Sequence, residues 1–341
     1  MPGRVRAAVA GANGYAGMTL VHLLARHPGV ELVQLTSRSF AGRPYSAVFP
    51  LLDLQGEFAP QPDPSGVDVI FSCLPHNVGA SLAPAWLAAG VRVIDMSADF
   101  RLKAAAEYPR WYKQEHPAPE LLARAVFGLP ELHADELKTA VLVAVPGCYS
   151  TASILALAPA AAAGLIGSDV VVDAKSGVSG AGRSPGIGVH FGEVNESVGA
   201  YAIGGHRHLP EVTQELRALS GNGLRVTFVP HLVPMTRGIL ATSYATPRPG
   251  VTLDDARDAL ERVYHGAVFV QVLEQPPHTK WTLGGNLCYI TPAWDAESER
   301  LILVSAIDNL VKGAAGQAIQ CANLMYGLDE AVGLPREGVY P

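Results

Sequence analysis

Cys148 stands where a catalytic nucleophile is expected. It follows an apolar strand and a Pro-Gly turn in the run VLVAVPGCYSTASILAL, and the sequence predicts that a helix begins within a residue or two. Free N–H groups and the dipole at a helix N-terminus favour the thiolate, which lowers the thiol pKa from its ordinary value of about 8.5. We therefore interpret Cys148 as a nucleophile, with a buried inert thiol as the alternative. For Cys73, Cys288 and Cys321 the inert interpretation is the one we adopt.

The loop GGHRHLPE offers two imidazoles, His206 and His208, before a predicted helix start at Pro210. A thiolate nucleophile needs an imidazole as its acid/base partner. An ordinary loop histidine is the alternative for each ring. An HxH pair also suits a metal ion, but no carboxylate cluster or second histidine pair lies nearby in the sequence. We therefore expect no metal site.

The segment AAVAGANGYAG places Gly11, Gly14 and Gly17 after the first predicted strand and at the start of the first predicted helix. Glycine permits a tight turn and a close backbone approach, and the helix N-terminus offers N–H groups to a pyrophosphate. The spacing GxxGxxG departs from the usual GxGxxG, so a glycine-rich turn without a ligand is the alternative. The strand–turn–helix context favours a dinucleotide-binding loop.

The second predicted strand ends in Thr36, Ser37, Arg38 and Ser39, where an NAD enzyme usually carries an acid for the ribose 2′-hydroxyl. Glu31 lies too early in the strand to replace that acid. An arginine with neighbouring hydroxyls suits a 2′-phosphate, so the sequence favours NADP(H) over NAD(H). A solvated loop arginine is the alternative.

A third glycine-rich loop, KSGVSGAGR at residues 175–183, follows another predicted strand and ends in Arg183. Alone it is compatible with a phosphate cradle, a nicotinamide pocket or a plain turn. A thiolate, an imidazole and NADP(H) together indicate acyl transfer joined to hydride transfer.

The elements that position these residues form two groups. In the first 150 residues, predicted strands at 4–10, 30–36, 67–72, 91–95 and 141–145 alternate with helical segments that include 15–26 and 78–89. This alternation is typical of a Rossmann-like, doubly wound parallel sheet, an α/β architecture. From about residue 169, predicted strands lie at 170–174, 225–230, 239–245, 268–272 and 301–307 between glycine-rich loops. They indicate an α+β domain with a mixed or antiparallel sheet, followed by a final helix at 309–326.

Composition narrows the class of protein. The 341 residues correspond to about two domains. Only 16% are charged, against about 25% in an average protein, so we expect part of the surface to be buried in a homo-oligomer. The net charge of −6 comes without long runs of either sign, which argues against a nucleic-acid partner.

Neither a membrane segment nor a disulfide framework is expected. The apolar stretch at residues 140–167 is interrupted by Pro146, Gly147 and Pro159, so it is not a membrane span. The four cysteines show no CxxC spacing, and a reducing cytoplasm fits them best.

Eight motifs together resemble one family, the N-acetyl-gamma-glutamyl-phosphate reductases of arginine biosynthesis. The motifs are GANGYAG, LPHNVGA, ADFRL, PGCYST, KSGVSGAGR, GGHRHLPE, RGIL at 237–240 and IDNLVKGAAGQ at 307–317. The family is similar in fold to aspartate-semialdehyde dehydrogenase. The resemblance implies an NADP-binding domain at 1–147, joined by the C-terminal segment 309–341, and a catalytic and subunit-contact domain at 148–308.

The resemblance also implies a role for each matching residue. Cys148 attacks the acyl phosphate, phosphate leaves, and NADPH reduces the thioester through a hemithioacetal to N-acetylglutamate 5-semialdehyde. His206 matches the acid/base and His208 a substrate contact, while Arg183, Arg207 and Arg237 are weaker candidates for binding the carboxylate or phosphate of this small-molecule substrate. The expected cofactor contacts are Gly11, Asn13, Gly14, Tyr15, Gly17, Ser37, Arg38, Pro75, Ser176, Gly177, Ser179, Gly180, Asn309 and Gly313.

Two alternatives stay open at this point. The related aminoadipyl-phosphate reductase of lysine biosynthesis acts on a chain one methylene longer, which a pocket discriminates by only about 1–3 kcal/mol. Tyr149 after the cysteine favours the arginine enzyme. A non-catalytic NADP-binding regulator would lack the nucleophile or the base, and both are present. Whether the oligomer is a dimer or a tetramer stays open.

Overall fold

A computed structural model describes residues 3–221 and 223–340 of the chain. It forms two compact units, unit 1 with residues 1–146 and 314–334 and unit 2 with residues 147–313 and 335–341. Residues 1 and 341, at the ends of the predicted domains, lie outside the described part.

Unit 1 is built on a six-stranded sheet in which every neighbouring pair of strands is parallel. The strands are β1 (Val5–Ala10), β2 (Val30–Thr36), β3 (Val69–Ser72), β4 (Arg92–Asp95), β5 (Val126–Phe127) and β6 (Leu142–Ala144), in the order β2-β1-β3-β4-β6-β5. The helices before the nucleophile are α1 (Tyr15–Leu24), α2 (Val78–Ala88), α3 (Glu107–Tyr112) and α4 (Pro130–Thr139).

Both faces of this sheet are covered, as the unbroken apolar strands require. In β3, Val69 and Phe71 join the core on one face, while Ile70 joins the core on the other face together with Trp86 of α2. The strand order reverses between β1 and β3, so the loops after these two strands meet at the crevice where such sheets bind nucleotides. The prediction of a doubly wound parallel sheet is confirmed.

Unit 2 contains a seven-stranded sheet. The sequence predicted either a mixed or an antiparallel sheet, and the sheet is mixed. Its strands are β7 (Ile166–Gly177), β8 (Gly199–Ala200), β9 (Arg225–Val233), β10 (Ile239–Pro247), β11 (Val270–Val272), β12 (Cys288–Asp295) and β13 (Arg300–Ile307), in the order β11-β12-β13-β10-β7-β9-β8. The pairs β7–β9 and β11–β12 are parallel and the others antiparallel. The helices are α5 (Cys148–Ala162), α6 (Phe191–Val194), α7 (Leu209–Ser220) and α8 (Leu253–Tyr264).

The two faces of this second sheet differ. On one face the central helix α5 is buried from Tyr149 to Ala161 and packs on β7, β10 and β13. On the other face the alternate strand residues stay half-buried, among them Val171, Leu240 and Ile302. The period-two burial of the strands therefore leaves an apolar face that the described residues of unit 2 cover only in part.

The chain then returns to unit 1. A π-helical turn at Val311–Ala315 leads into α9 (Gly316–Met325), which packs against α1 and α4. The small residues Ala318 and Ala322 lie in the unit 1 core with Ile319. Among the described residues, no helix has the length and apolar character needed to cross a membrane.

Candidate active site

Cys148 is the first residue of α5, so the backbone places it at a helix N-terminus as its sequence context predicts. Gly147 precedes it in an extended conformation, and the first turn of α5 contains no acidic residue. The thiol is not in a disulfide and is partly accessible. A Cβ added to Gly313 would lie 2.7 Å from Cys148 Cβ. The backbone at residue 313 can therefore pack this closely on the cysteine only because the residue is glycine.

The turn before the cysteine is held by the start of α7. Glu211 is fully buried, and its Oε2 accepts the Gly147 N–H at 2.8 Å. The His208 ring packs so closely on Gly147 that an added Cβ would lie 2.5 Å from His208 Cδ2. The GGHRHLPE motif therefore supplies both an imidazole and a buried carboxylate to the nucleophile's turn, and the i,i+3 spacing of His208 and Glu211 puts them on one helical face.

His206 is buried among aromatic rings. Its ring centroid lies 5.6 Å from that of Tyr149, 5.5 Å from that of Tyr201 and 5.3 Å from that of Phe228. Burial, and then the charge of Arg207, lower the His206 pKa to about 4. The backbone N–H of His208 donates to His206 Nδ1 at 3.2 Å, so we assign the ring proton to Nε2. The resting imidazole is neutral and offers an N–H donor at Nε2.

Two tyrosines that the sequence analysis did not propose as site residues complete this cluster. Tyr201 OH donates to Tyr149 OH at 3.3 Å, and Tyr149 OH donates to the backbone oxygen of His231 at 2.9 Å. Burial raises the pKa of both phenols, so both remain protonated donors at neutral pH. Tyr149 directly follows Cys148, which is a signal that sequence reasoning had available. Tyr201 lies in a loop with no such signal.

The loop at residues 176–180 is anchored to the segment that leads into β10. Gly177 N donates to Gly238 O at 2.9 Å, and a Cβ on Gly177 would lie 2.8 Å from Arg237 N. Asn309 is buried between the two segments, where its Oδ1 accepts the Gly238 N–H and its Nδ2 donates to Ser179 Oγ. The Ser176 hydroxyl interacts with the Tyr149 phenol, which links this loop to the nucleophile.

The three candidate arginines have different surroundings. Arg237 pairs with the buried Asp308 at 3.4 Å, and that carboxylate also accepts the backbone N–H of Gly284 and Leu310. Arg183 and Arg207 are exposed. Asp308 was not predicted, although it stands next to Asn309 in the IDN motif.

In unit 1 the glycine-rich loop fits a dinucleotide. A Cβ on Gly17 would lie 2.5 Å from Gly11 O, and one on Gly11 would lie 2.6 Å from Cys73 O, so the loop closes tightly only with glycines. The first turn of α1 carries no acidic residue and no side-chain cap. These features leave its backbone N–H groups available to a pyrophosphate.

At the end of β2 a polar cluster lies beside this loop. Ser37 Oγ donates to Asn13 Oδ1 at 2.9 Å, and Asn13 Nδ2 donates to Ser39 Oγ. Arg38, Tyr15 and Pro75 are exposed. The structure thus groups the predicted contacts of the first loop and the second strand at one edge of the sheet, as a dinucleotide requires.

Sequence profiles match both units. The profile described as "Semialdehyde dehydrogenase, NAD binding domain" matches residues 6–140, and "Semialdehyde dehydrogenase, dimerisation domain" matches residues 148–309. Three curated relatives named N-acetyl-gamma-glutamyl-phosphate reductase come from Dehalococcoides mccartyi (50% identical), Symbiobacterium thermophilum (49%) and Synechocystis (45%). Each alignment covers 99% of this chain and 99% of the relative.

Solved structures with the same fold are more distant in sequence. Aspartate semialdehyde dehydrogenase II from Vibrio cholerae, complexed with ASA, superposes with a TM-score of 0.73 at 18% identity over 95% of this chain and 98% of that chain. Aspartate semialdehyde dehydrogenase with NADP from Candida albicans gives a TM-score of 0.69 at 16% identity, with the same coverage. At these identities the similarity establishes the fold.

Proposed function

This chain belongs to the N-acetyl-gamma-glutamyl-phosphate reductases of the semialdehyde dehydrogenase family, and we propose that it reduces N-acetyl-gamma-glutamyl phosphate to N-acetylglutamate 5-semialdehyde, with release of phosphate. The observation that carries the proposal is Cys148 at the N-terminus of α5, with its turn held by His208 and Glu211. The reaction belongs to arginine biosynthesis.

Cys148 is the proposed nucleophile. Its sulfur attacks the acyl carbon, the bond from that carbon to the phosphate oxygen breaks, and phosphate leaves with the bonding electrons. A thioester on Cys148 results. The neighbouring N–H groups at the start of α5 favour the thiolate form that this attack needs.

His206 is the proposed proton-handling residue. Its neutral ring presents Nε2–H to the substrate oxygen, and burial makes such a hydrogen bond strong. The negative charge that develops on the substrate oxygen raises the imidazole pKa, and in the doubly protonated ring the second proton takes the place of the His208 N–H hydrogen bond at Nδ1. That ring protonates the hemithioacetal oxygen and takes the proton back when the carbon–sulfur bond breaks to release the aldehyde.

NADPH, when bound, supplies the hydride that reduces the thioester. Unit 1 is the NAD-binding domain of the family. Gly11, Gly14 and Gly17 would hold the pyrophosphate on α1, and Ser37 with Arg38 would bind the 2′-phosphate that distinguishes NADP from NAD. The loop at 176–180 is the proposed neighbour of the nicotinamide, with Asn309 holding it in place.

The test is the reverse reaction, the phosphate-dependent reduction of NADP⁺. N-acetylglutamate semialdehyde is compared with its aminoadipate homologue and with aspartate semialdehyde. A strong preference for the first supports the proposal. Comparable rates on the longer homologue would point to a lysine-pathway or dual role, and no rate on any aldehyde would leave an NADP-binding regulator. Cys148→Ala should abolish turnover with NADP⁺ binding intact, and His206→Asn should lower the rate by about 10² to 10⁴.

Self-association is part of the proposal, because unit 2 contains the family's dimerisation domain. Its sheet leaves a half-buried apolar face, and the adjoining segment at 184–203, which we call the arm, contains strongly exposed apolar side chains. Ile187 is 82% exposed, Phe191 77%, Ile203 67% and Val198 64%. Adjacent exposed apolar residues of this kind mark an interface. A second copy of the chain is the proposed occupant of this surface.

Sedimentation of Phe191→Glu tests the interface. The variant should dissociate at protein concentrations where the wild type is oligomeric. Leu51→Glu is the matched control, because Leu51 is 88% exposed in unit 1 and lies outside the arm. An oligomer that withstands Phe191→Glu would exclude the arm from the interface. None of the four cysteines forms a disulfide, which supports the cytoplasm as the proposed compartment.

A further inference from the structure

Two motifs of unit 1, LPHNVGA at residues 74–80 and ADFRL at residues 98–102, have no role in the chemistry above apart from the expected cofactor contact of Pro75. They are bound to each other through Asp99. The Asp99 side chain is fully buried. Its Oδ1 accepts the Asn77 N–H at 2.7 Å and its Oδ2 accepts the Ala80 N–H at 2.9 Å. His76 Nδ1 lies 2.5 Å from Asp99 Oδ1.

Asp99 thus caps α2 from outside the helix. Asn77, the N-cap residue, has a left-handed backbone (φ 67°) and provides no side-chain cap of its own. Hydrogen bonds from His76, Asn77 and Ala80 outweigh the effect of burial and lower the Asp99 pKa, so the carboxylate stays charged. A buried carboxylate that accepts two backbone N–H groups holds a turn more strongly than a neutral cap does.

The packing leaves little freedom for this arrangement. A Cβ on Gly79 would lie 2.6 Å from Ser72 Oγ and 3.2 Å from Asp95 Oδ1, so the start of α2 packs on these two side chains only because residue 79 is glycine. The His76 ring lies against Tyr112, with 4.5 Å between the ring centroids. The turn at residues 74–77, which we call the LPHN turn, is therefore fixed on several sides.

The position of the LPHN turn indicates what it serves. It follows β3, the neighbour of β1, and Gly11 of the dinucleotide loop packs against the carbonyl of Cys73 just before the turn. Ser37 and Arg38, the proposed 2′-phosphate contacts, lie on the opposite side of β1, at the end of β2. A dinucleotide that spans the reversal point with its adenosine half toward β2 places its nicotinamide half toward β3 and β4.

We infer that Asp99 is a positioning residue for the nicotinamide half of the cofactor, because it holds the LPHN turn and His76 in the conformation against which that half binds. The inference rests on the proposed function for the identity of the cofactor. Asp99 itself touches neither substrate nor hydride, and its effect is transmitted through the backbone of the turn.

Fluorescence titration with NADPH tests the inference on the full-length protein. Asp99→Asn keeps the shape of the side chain but replaces one acceptor by an NH₂ group that faces a backbone N–H. Because one hydrogen bond to a charged acceptor is lost, the turn conformation that binds NADPH becomes less populated. The Kd for NADPH should therefore rise roughly 10- to 100-fold. Asp68→Asn is the control, because it makes the same substitution in unit 1 at a carboxylate that accepts the Arg6 N–H and lies before β3, at the end of that strand away from the turn. Its Kd should stay within about twofold of the wild type.

The labelling rate of Cys148 with iodoacetamide separates positioning from general damage, since it reports on unit 2. An unchanged rate with a raised NADPH Kd supports the inference. An unchanged Kd, or a Kd and labelling rate that deteriorate together, would overturn it. Should Asp99→Asn fail to fold, His76→Phe is the second variant, because it keeps the ring contact with Tyr112 and removes the contact with the Asp99 carboxylate. It should raise the Kd several-fold, and an unchanged Kd there would equally overturn the inference. The titration needs no turnover, so a wild type inactive on every acyl substrate would contradict the proposed function and leave this test intact.

Discussion

Replacing Gly147 by alanine examines the contact that we consider central to the nucleophile's position. The backbone at Gly147 has φ −65° and ψ 152°, a conformation that alanine adopts without strain. The only new feature is a methyl group, which would lie 2.5 Å from both Cδ2 and Cε1 of His208. Ordinary contacts between carbon atoms are about 3.5–4.0 Å, so the ring or the turn must move by about 1 Å.

The magnitude follows from this overlap. Inserting a methyl group into a packed site costs about 1–3 kcal/mol of folding free energy. At about 2–4 °C per kcal/mol for a domain of this size, Tm should fall by roughly 2–12 °C. A shift of about 1 Å next to the reacting sulfur should lower kcat by about 10²-fold.

Thermal unfolding and steady-state turnover measure the two effects. Gly223→Ala is the matched control, since an added Cβ there meets nothing within 4 Å and the residue lies outside the arm, so it should behave like the wild type. Because the strain needs the imidazole, the Tm losses of Gly147→Ala and His208→Ala should not add in the double variant. Additive losses, or a Gly147→Ala variant that melts like the wild type, would refute the packing argument.

Three further predictions concern other contacts. Glu211→Ala leaves the buried Gly147 N–H without its acceptor and should lower kcat about tenfold or more, whereas Glu211→Gln keeps an oxygen there and should retain most activity; a steady-state comparison of the two variants decides. Arg38→Asp should lower kcat/KM for NADPH about tenfold or more with little effect on NADH, and equal losses with both cofactors would argue against a 2′-phosphate contact. Burial lowers the His27 pKa, so unfolding binds a proton: the stability that His27 contributes is present above about pH 6.5 and is lost as the pH falls through its folded-state pKa. Denaturant titrations from pH 7.5 to 5 should therefore show a shallower loss for His27→Gln than for the wild type, and parallel curves would contradict the assignment.

The fold was predictable because its strongest signals are local. The predicted strand at residues 30–36 coincides with β2, and the helix predicted from residue 15 begins at Tyr15. β12 was missed, since Pro292 interrupts its sequence and a proline within such a run argues against a strand. In the structure Pro292 lies beyond the three residues of β12 that pair with β11, so the sheet accommodates it.

The candidate site likewise contains residues that the sequence identified and residues that it did not. Cys148 and the HRH pair were identified because a cysteine at a helix start and a paired imidazole motif are visible in short segments of sequence. Glu211 was not, although it stands three residues after His208, because its partner is a backbone N–H 64 residues away. Asp99 is a similar case, with its acceptor role defined by the start of α2, 19 and 22 residues earlier in the chain.

The sequence by itself determined the alternation of strands and helices, the glycine loop, the nucleophile at the end of an apolar strand, and the family to which these motifs belong. These features depend on periodicity and on neighbouring residues, which any stretch of chain carries with it. Only the tertiary structure decided that His206 is neutral with its proton on Nε2, that Glu211 and His208 hold the Cys148 turn, and that Asn309 and Asp99 anchor loops distant in sequence. Burial and hydrogen-bond partners are properties of segments brought together by folding, and they determine protonation and position where the residue type alone leaves both open.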